Sequence, residues 1–213
     1  MSEPSHRRPV DGRLRPTVSR NSRADVVAAA GRLFARNGYH GTSMRELGRE
    51  LGLRGSSLYS HITSKEALLL DVVERAAQLF DASAAAALAT EGNAERRLRI
   101  LVAGHVDVVV DHLDEARTFL NEARSLDDAS RRRVLDHRDR YERSFRRVLA
   151  EGVDEGRFRS DLDPALAGIM LLSILNAIDR WYRPDGPLDR DALVTSIISF
   201  VIDGLGGRPV AAN

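Results

Sequence analysis

Two short apolar segments joined by a glycine constrain this chain more than any other feature. Residues 44–51, "MRELGREL", place Met44, Leu47 and Leu51 on one helical face, and Ser43 with Glu46 forms a capping box ahead of them. Gly52 ends that helix, and a second short helix is predicted from Gly55 to Ile62, with Leu58 and Ile62 at i, i+4. A short helix, a tight turn containing Gly and another short helix make the helix-turn-helix arrangement. Leu47, Leu51, Leu53 and Leu58 can pack the pair together and against Val27 and Leu33 of a preceding helix. That helix has the stripe Val26, Val27, Ala30, Leu33 and Phe34, a cap at Asn21 or Ser22, and an end at Gly38. The face left to solvent holds Arg54, Gly55, Ser56, Ser57, Tyr59, Ser60 and His61. Small and hydrogen-bonding residues of this kind let a helix N-terminus enter a major groove about 12 Å wide.

Gly52 to Gly55 also spell G-x-x-G, which in KH domains clamps a nucleic-acid backbone. That fold needs a sheet beside its helices, and no segment alternates like a strand between hairpin turns. A P-loop needs Gly-Lys-Ser/Thr, which is absent. A plain helical connection, with Gly52 only a cap, is the remaining alternative.

Helical periodicity continues through most of the chain. Ser64 caps a helix carrying Leu68, Leu69, Val72, Val73 and Leu79, and Gly92-Asn93 breaks the pattern after an alanine run. Further helices are expected at about 95–112, 114–125, 128–152, 163–183 and 189–205, separated by Gly152, Gly156, Asp161 to Pro164 and Pro184 to Pro187. The expected fold is all-α with about nine helices. A basic disordered arm (1–20) precedes a helix-turn-helix unit (21–68), a larger helical bundle (69–206) and a tail (207–213). The arm, with Pro4, Pro9, Pro16 and five arginines, is either solvated filler or a tracker of DNA phosphates.

Charge is distributed unevenly. The first 75 residues carry 13 Arg/Lys against 8 Asp/Glu, and the rest carry 19 against 23, so the basic front end is the part suited to a polyanion. The chain contains no Cys, which removes disulfides, thiolate nucleophiles and cysteine metal sites and fits a reducing cytosol. His105 and His112, seven apart on one stripe, are too weak a pattern for a metal. No G-x-S-x-G elbow or glycine-rich nucleotide fingerprint supports an enzyme, and no apolar run approaches the roughly 20 residues that span a bilayer. The expectation is a cytoplasmic protein that is not an enzyme, with no catalytic residues, metal or cofactor.

The residues "AAAGRLFARNGYHGTSMRELGRELGLRGSSLYSHITSKEALL" resemble the DNA-binding domain of the TetR family of regulators. They follow its pattern F-x-x-x-G-[YF]-x-x-T-[ST] and then G-[VL]-x-x-x-[ST]-L-Y-x-[HY]-[FI]-x-[SN]-K-E-x-L. Gly48 stands where Ala is usual, and Ile62 and Thr63 replace the commoner Phe and Pro or Gly. The resemblance implies phosphate contacts from the Thr42 hydroxyl at a helix N-terminus, the Tyr59 phenol and Lys65. It also implies base or sugar contacts from Arg54, Gly55, Ser56, Ser57, Ser60 and His61.

Behind this domain, "YERSFRRVLAEGVDEGRF" and "DPALAGIMLLSILNAIDRWYRPDGPLDRDAL" resemble more loosely the sensing domains of TetR regulators that respond to acyl-CoA thioesters of fatty-acid, aromatic-acid and steroid catabolism. The implied function is a dimeric repressor on a pseudo-palindromic operator, released by a small-molecule effector. The alternatives are an activator, a corepressor-dependent regulator, or a multidrug-type sensor of the same fold. Candidate pocket liners are His105, Val109, Phe119, Glu122, Tyr141, Phe145, Met170 and Asn176. The segments 163–183 and 189–205 are apolar around most of their circumference and would pair across a two-fold axis through Leu171, Leu175, Ile178, Leu193, Ile197, Phe200 and Val201. The arginines 131–133, 138, 140, 143, 146 and 147 could attract coenzyme A phosphates or form a solvated face paired with acids.

Overall fold

The computed structural model describes residues 22–53, 58–60, 62–183 and 185–206. The described residues are helical, with no strand among them. The order is α1 (Arg23–Gly41), α2 (Met44–Leu51), α3 (Lys65–Ala89), α4 (Ala94–Asp111), α5 (Leu113–Asn121), a 3-10 turn (Ala123–Ser125), α6 (Asp128–Asp154), α7 (Pro164–Asn176), α8 (Ile178–Trp181) and α9 (Arg190–Leu205). The arm, the tail and the residues Arg54, Gly55, Ser56, Ser57 and His61 lie outside the described residues.

Local chemistry sets the helix starts. Ser22 and Asp25 form a capping box on α1, and Ser43 and Glu46 form one on α2. Ser64, Asn93, Asp127, Asp163 and Asp189 each accept from a first-turn backbone N–H of the helix that follows. Gly38 is non-helical (φ 74°) and kinks α1 near its end. Gly52 closes α2 in the left-handed region (φ 66°), where its N–H reaches the Arg49 carbonyl.

The stripe Val26, Val27, Ala30, Leu33 and Phe34 is buried, as its spacing predicts. It packs on α2, α3 and α5. Helix α3 is the common member of both halves. Leu68, Leu69, Val72 and Val73 bury toward α1, and Ala76, Ala77, Phe80, Ala84 and Ala87 continue the same buried stripe along its second half. Small residues let α4 approach closely: a Cβ on Gly104 would collide with Ser83 Oγ. The helix crosses residues 68 and 69 without interruption.

Two predicted segments are divided. The 114–125 helix ends at Asn121 and resumes as the 3-10 turn, and the 163–183 helix is interrupted at Ala177. At that break Asp179 is buried. The Arg117 guanidinium donates to its carbonyl at 2.7 and 2.9 Å, and the Asn121 amide donates to its carboxylate at 3.2 Å.

Most of the predicted dimer residues are corrected by burial inside the protomer. Leu171, Leu175, Ile178, Leu193 and Val201 are buried, because they face α4, α5 and α6 rather than solvent. Ile197 is half-buried, and Phe200 is 68% exposed. The outward face of α7 is instead Leu166, Ile169, Met170 and Ile174.

Candidate nucleic-acid interface and internal cavity

Leu58 and Ile62 are buried, and together they aim Tyr59 outward, where its ring is 57% exposed. Ser60 is exposed beside it. Lys65 opens α3 with its ammonium 4.3 Å from the centroid of the Tyr39 ring. This cation–π contact orients Lys65 and leaves N–H groups for an anion. Burial first, and the Glu66 carboxylate second, raise the Tyr39 pKa.

Gly48 explains its departure from the usual Ala. A Cβ there would stand 3.1 Å from the Leu53 carbonyl oxygen, while Leu53 N–H donates to the Gly48 carbonyl at 2.8 Å. The turn after α2 folds back tightly on that glycine.

Thr42 does not fit the phosphate role assigned to its hydroxyl. The side chain is 4% exposed, and Oγ1 donates inward, toward the Gly38 carbonyl at 2.9 Å and the Leu33 carbonyl at 3.2 Å. A phosphate offers only acceptors, so this committed proton is not available to it. Thr42 instead closes the kink in α1. Arg45 and Arg49, exposed on α2 with no ion pair among the described residues, were not singled out by the sequence reasoning. Their i, i+4 spacing beside a helix-turn-helix was the available clue. Arg32 and Arg36, by contrast, are taken up by Glu50.

The second site is a cavity of about 340 Å³ in the helical bundle. Phe80 from α3, His105 from α4, Phe119 and Asn121 from α5, Arg138 and Tyr141 from α6, and Leu172 and Asn176 from α7 line it. Of the predicted liners, His105, Phe119, Tyr141 and Asn176 are on its wall. Val109 and Phe145 are fully buried core, since they point between helices rather than into the cavity. Met170 is 58% exposed on the outside of α7, and Glu122 faces grooves beside α1. Phe80, Asp81 and His137 were missed, and Arg138 was named only as one of a run of arginines on this helix. Phe80 and Asp81 fall in the alanine-rich stretch of α3, and His137 and Arg138 lie in the charged run of α6.

The aromatic wall is continuous. Phe80 has its ring centroid 5.0 Å from His105, 5.3 Å from Tyr141 and 5.6 Å from Phe119. His105 is 1% exposed, its Nδ1 is 3.2 Å from the Tyr141 hydroxyl, and its Nε2 is buried with no hydrogen-bond partner. Burial drives its pKa down to about 3, and the nearby Leu175 main chain opposes part of that drop. Burial also raises the Tyr141 pKa. Tyr141 therefore keeps its proton and needs an acceptor, and Nδ1 is the one within reach, which leaves Nε2 as a donor.

Among the described residues, no group of three or more His, Cys, Asp or Glu is placed to hold a metal, and no helix is long and apolar enough to cross a membrane.

Comparison with known proteins places both halves. Residues 26–72 match the model of bacterial regulatory proteins of the tetR family, and residues 91–205 match the tetracyclin repressor-like C-terminal domain. The HTH-type transcriptional repressor KstR2 of Mycobacterium tuberculosis is 26% identical over 184 residues, 86% of this chain and 92% of that protein. The structure of the TetR family regulator PfmR from Thermus thermophilus is 32% identical with a TM-score of 0.77, covering 83% of this chain and 96% of that one. A structure of AibR in complex with isovaleryl coenzyme A and operator DNA is 24% identical, with a TM-score of 0.75, over 86% of this chain and 97% of that one. With two family models spanning most of its length, a helix-turn-helix at one end and a helical bundle at the other, the chain belongs to the TetR family of DNA-binding transcriptional regulators and is not an enzyme.

Proposed function

We propose that the chain is a homodimeric cytoplasmic repressor, released from its operator by an acyl-CoA thioester bound in the cavity. The observation that carries this reading is the wall of that cavity. Aromatic rings and a buried, neutral His105 imidazole suit an apolar, uncharged acyl group. The volume of about 340 Å³ lies within the roughly 300–1,000 Å³ of small-molecule sites. KstR2 is named a repressor, and AibR is described with both isovaleryl coenzyme A and operator DNA, which supports the same pairing of ligand and DNA here.

The link to DNA is α3. It supplies Phe80 to the cavity and begins at Lys65, which follows the segment carrying the exposed Tyr59. An effector that favours one tilt of α3 shifts the spacing of the two recognition helices, and DNA opposes the effector by the same free energy. The dimer supplies the two half-sites, about 34–36 Å apart. Its contact surface is the apolar face of Leu166, Ile169, Met170, Ile174 and Phe200.

Mobility shift with the DNA upstream of the protein's own gene, titrated with acyl-CoAs and the matching free acids, tests the reading. Dissociation by an acyl-CoA at micromolar concentration is expected. An operator complex that survives the whole series would remove the thioester assignment.

A further inference from the structure

We propose that Arg138 is an oxyanion subsite inside the cavity, so that the effector is an apolar molecule carrying a carboxylate or a phosphate. The inference rests on reading the cavity as the effector site, and it adds the polar chemistry that site selects.

The arginines of α6 differ in setting, with Arg132 and Arg143 exposed to solvent. Arg131 pairs with Asp128, Arg133 with Glu74, Arg140 with Asp81, Arg146 with Glu142 and Arg147 with Glu151. These make the solvated face that a charge run usually forms. Arg138 turns inward, one helical turn before Tyr141. Its guanidinium lies 4.9 Å from the Phe119 ring centroid, and Nη2 donates to the carbonyls of Phe119 and Leu120. No carboxylate pairs with it among the described residues. Its Nε is buried without a partner. Burial lowers its pKa, so the protein around it disfavours the charge it must carry.

The other charges on the wall do not compensate it. Asp81 is held by His137 at 2.7 Å and by Arg140 at 3.4 Å. Glu142 is held by Arg146 at 2.5 Å, and Asp179 by Asn121 at 3.2 Å and Arg180 at 3.9 Å. Asp139 is exposed to solvent. A half-buried guanidinium with carbonyl partners only is an incomplete site, and an oxyanion completes it by charge and by hydrogen bonding at once. Phe119, Phe80 and Tyr141 then form the surface along which the apolar body lies. A fatty or aromatic acid brings a carboxylate, and a coenzyme A thioester brings phosphates. The chemistry at Arg138 is the same.

The test titrates decanoate, 4-phenylbutanoate, their two alcohols and decanoyl-coenzyme A into the full-length protein by calorimetry. Wild type, Arg138→Met and Arg138→Lys are compared, with operator release scored separately. The acids are expected to bind wild type at least tenfold more tightly than the alcohols, with that preference lost in Arg138→Met and partly kept in Arg138→Lys. Arg138 dependence seen only with decanoyl-coenzyme A assigns the oxyanion to a phosphate. Equal binding of acids and alcohols, together with decanoyl-coenzyme A binding that Arg138→Met leaves unchanged, overturns the proposal, as does failure of every probe to bind. If the acids bind no better than the alcohols and decanoyl-coenzyme A releases DNA equally from wild type and Arg138→Met, the effector reading stands and the subsite falls. If probes bind in an Arg138-dependent way yet leave the operator complex intact, the subsite stands and the effector reading falls. Arg138→Lys keeps the charge, so a loss confined to Arg138→Met in a protein with an unchanged melting curve is not a folding defect.

Discussion

The Tyr141 hydroxyl on α6 meets Nδ1 of His105 on α4 at 3.2 Å, behind a wall that leaves the imidazole 1% exposed. This contact fixes the ring and turns its other nitrogen into an uncharged donor. It also has a pH consequence. The folded His105 pKa is about 3, below the ordinary 6.5, so the unfolded chain takes up a proton that the folded chain refuses. Stability is therefore lost as pH falls from about 6.5 toward 3, at about 1.4 kcal/mol per unit for this group. Urea midpoints at pH 7.5 and 5.5 should show a smaller acid loss in His105→Leu than in wild type. Equal losses in the two proteins would refute the neutral assignment.

Thr42→Val keeps the shape of the side chain and removes its hydroxyl proton. The carbonyls of Gly38 and Leu33 then lose a donor, at a cost of about 1–2 kcal/mol. A lower melting temperature is expected, with an unchanged salt dependence of operator binding. Weaker operator binding at an unchanged melting temperature would restore the phosphate role to Thr42, because an uncharged hydroxyl contact changes affinity and not the salt slope.

Tyr59→Phe and Lys65→Ala act on the outward face. Tyr59 is exposed and Lys65 begins α3, so neither change opens the core. Both should weaken operator binding in a mobility shift. Lys65→Ala should also lower the slope of log K against log salt by about one unit. Full affinity and slope in both variants would mean that other residues carry the phosphate contacts.

The helix-turn-helix was legible because its determinants are local. Caps at Ser22, Ser43 and Ser64, the left-handed Gly52 and the pair Leu58 and Ile62 each follow from a few neighbouring residues. The cavity was only half legible. His105, Phe119, Tyr141 and Asn176 were found because polar or aromatic residues on apolar stripes stand out, while Arg138 is hidden among arginines whose partners are set by tertiary packing. The outward side of α7 was misread for a related reason. Helix α7 is apolar on nearly every side, so periodicity cannot say which side meets its own protomer. Leu171 and Leu175 turned inward, and Ile169 and Met170 turned out.

Gly152 is a packing requirement rather than only a helix end. A Cβ there would collide with the ring of Phe158, which is buried and whose N–H donates to the Gly152 carbonyl at 3.0 Å. Gly152→Ala should cost about 2 kcal/mol by forcing the ring out. Phe158→Ala removes the obstacle, so the double variant should be less destabilised than the two single losses summed. Strict additivity in urea titrations would show that the ring is not what Gly152 accommodates.

The outward apolar face gives the last prediction. Ile169 and Met170 on α7 and Phe200 on α9 are 53%, 58% and 68% exposed, so a charge at any of them is solvated in an isolated protomer. Ile169→Glu and Phe200→Glu should therefore leave melting of the monomer fold nearly intact while shifting sedimentation from dimer to monomer at micromolar concentration. Each protomer then presents one half-site reader, and operator affinity should fall at least a hundredfold because the second contact is no longer tethered to the first. Leu171→Glu is the control. Leu171 is buried within the protomer, so that variant should lose stability at every concentration. If Ile169→Glu and Phe200→Glu remain dimeric with full operator affinity, the two chains meet through a different surface.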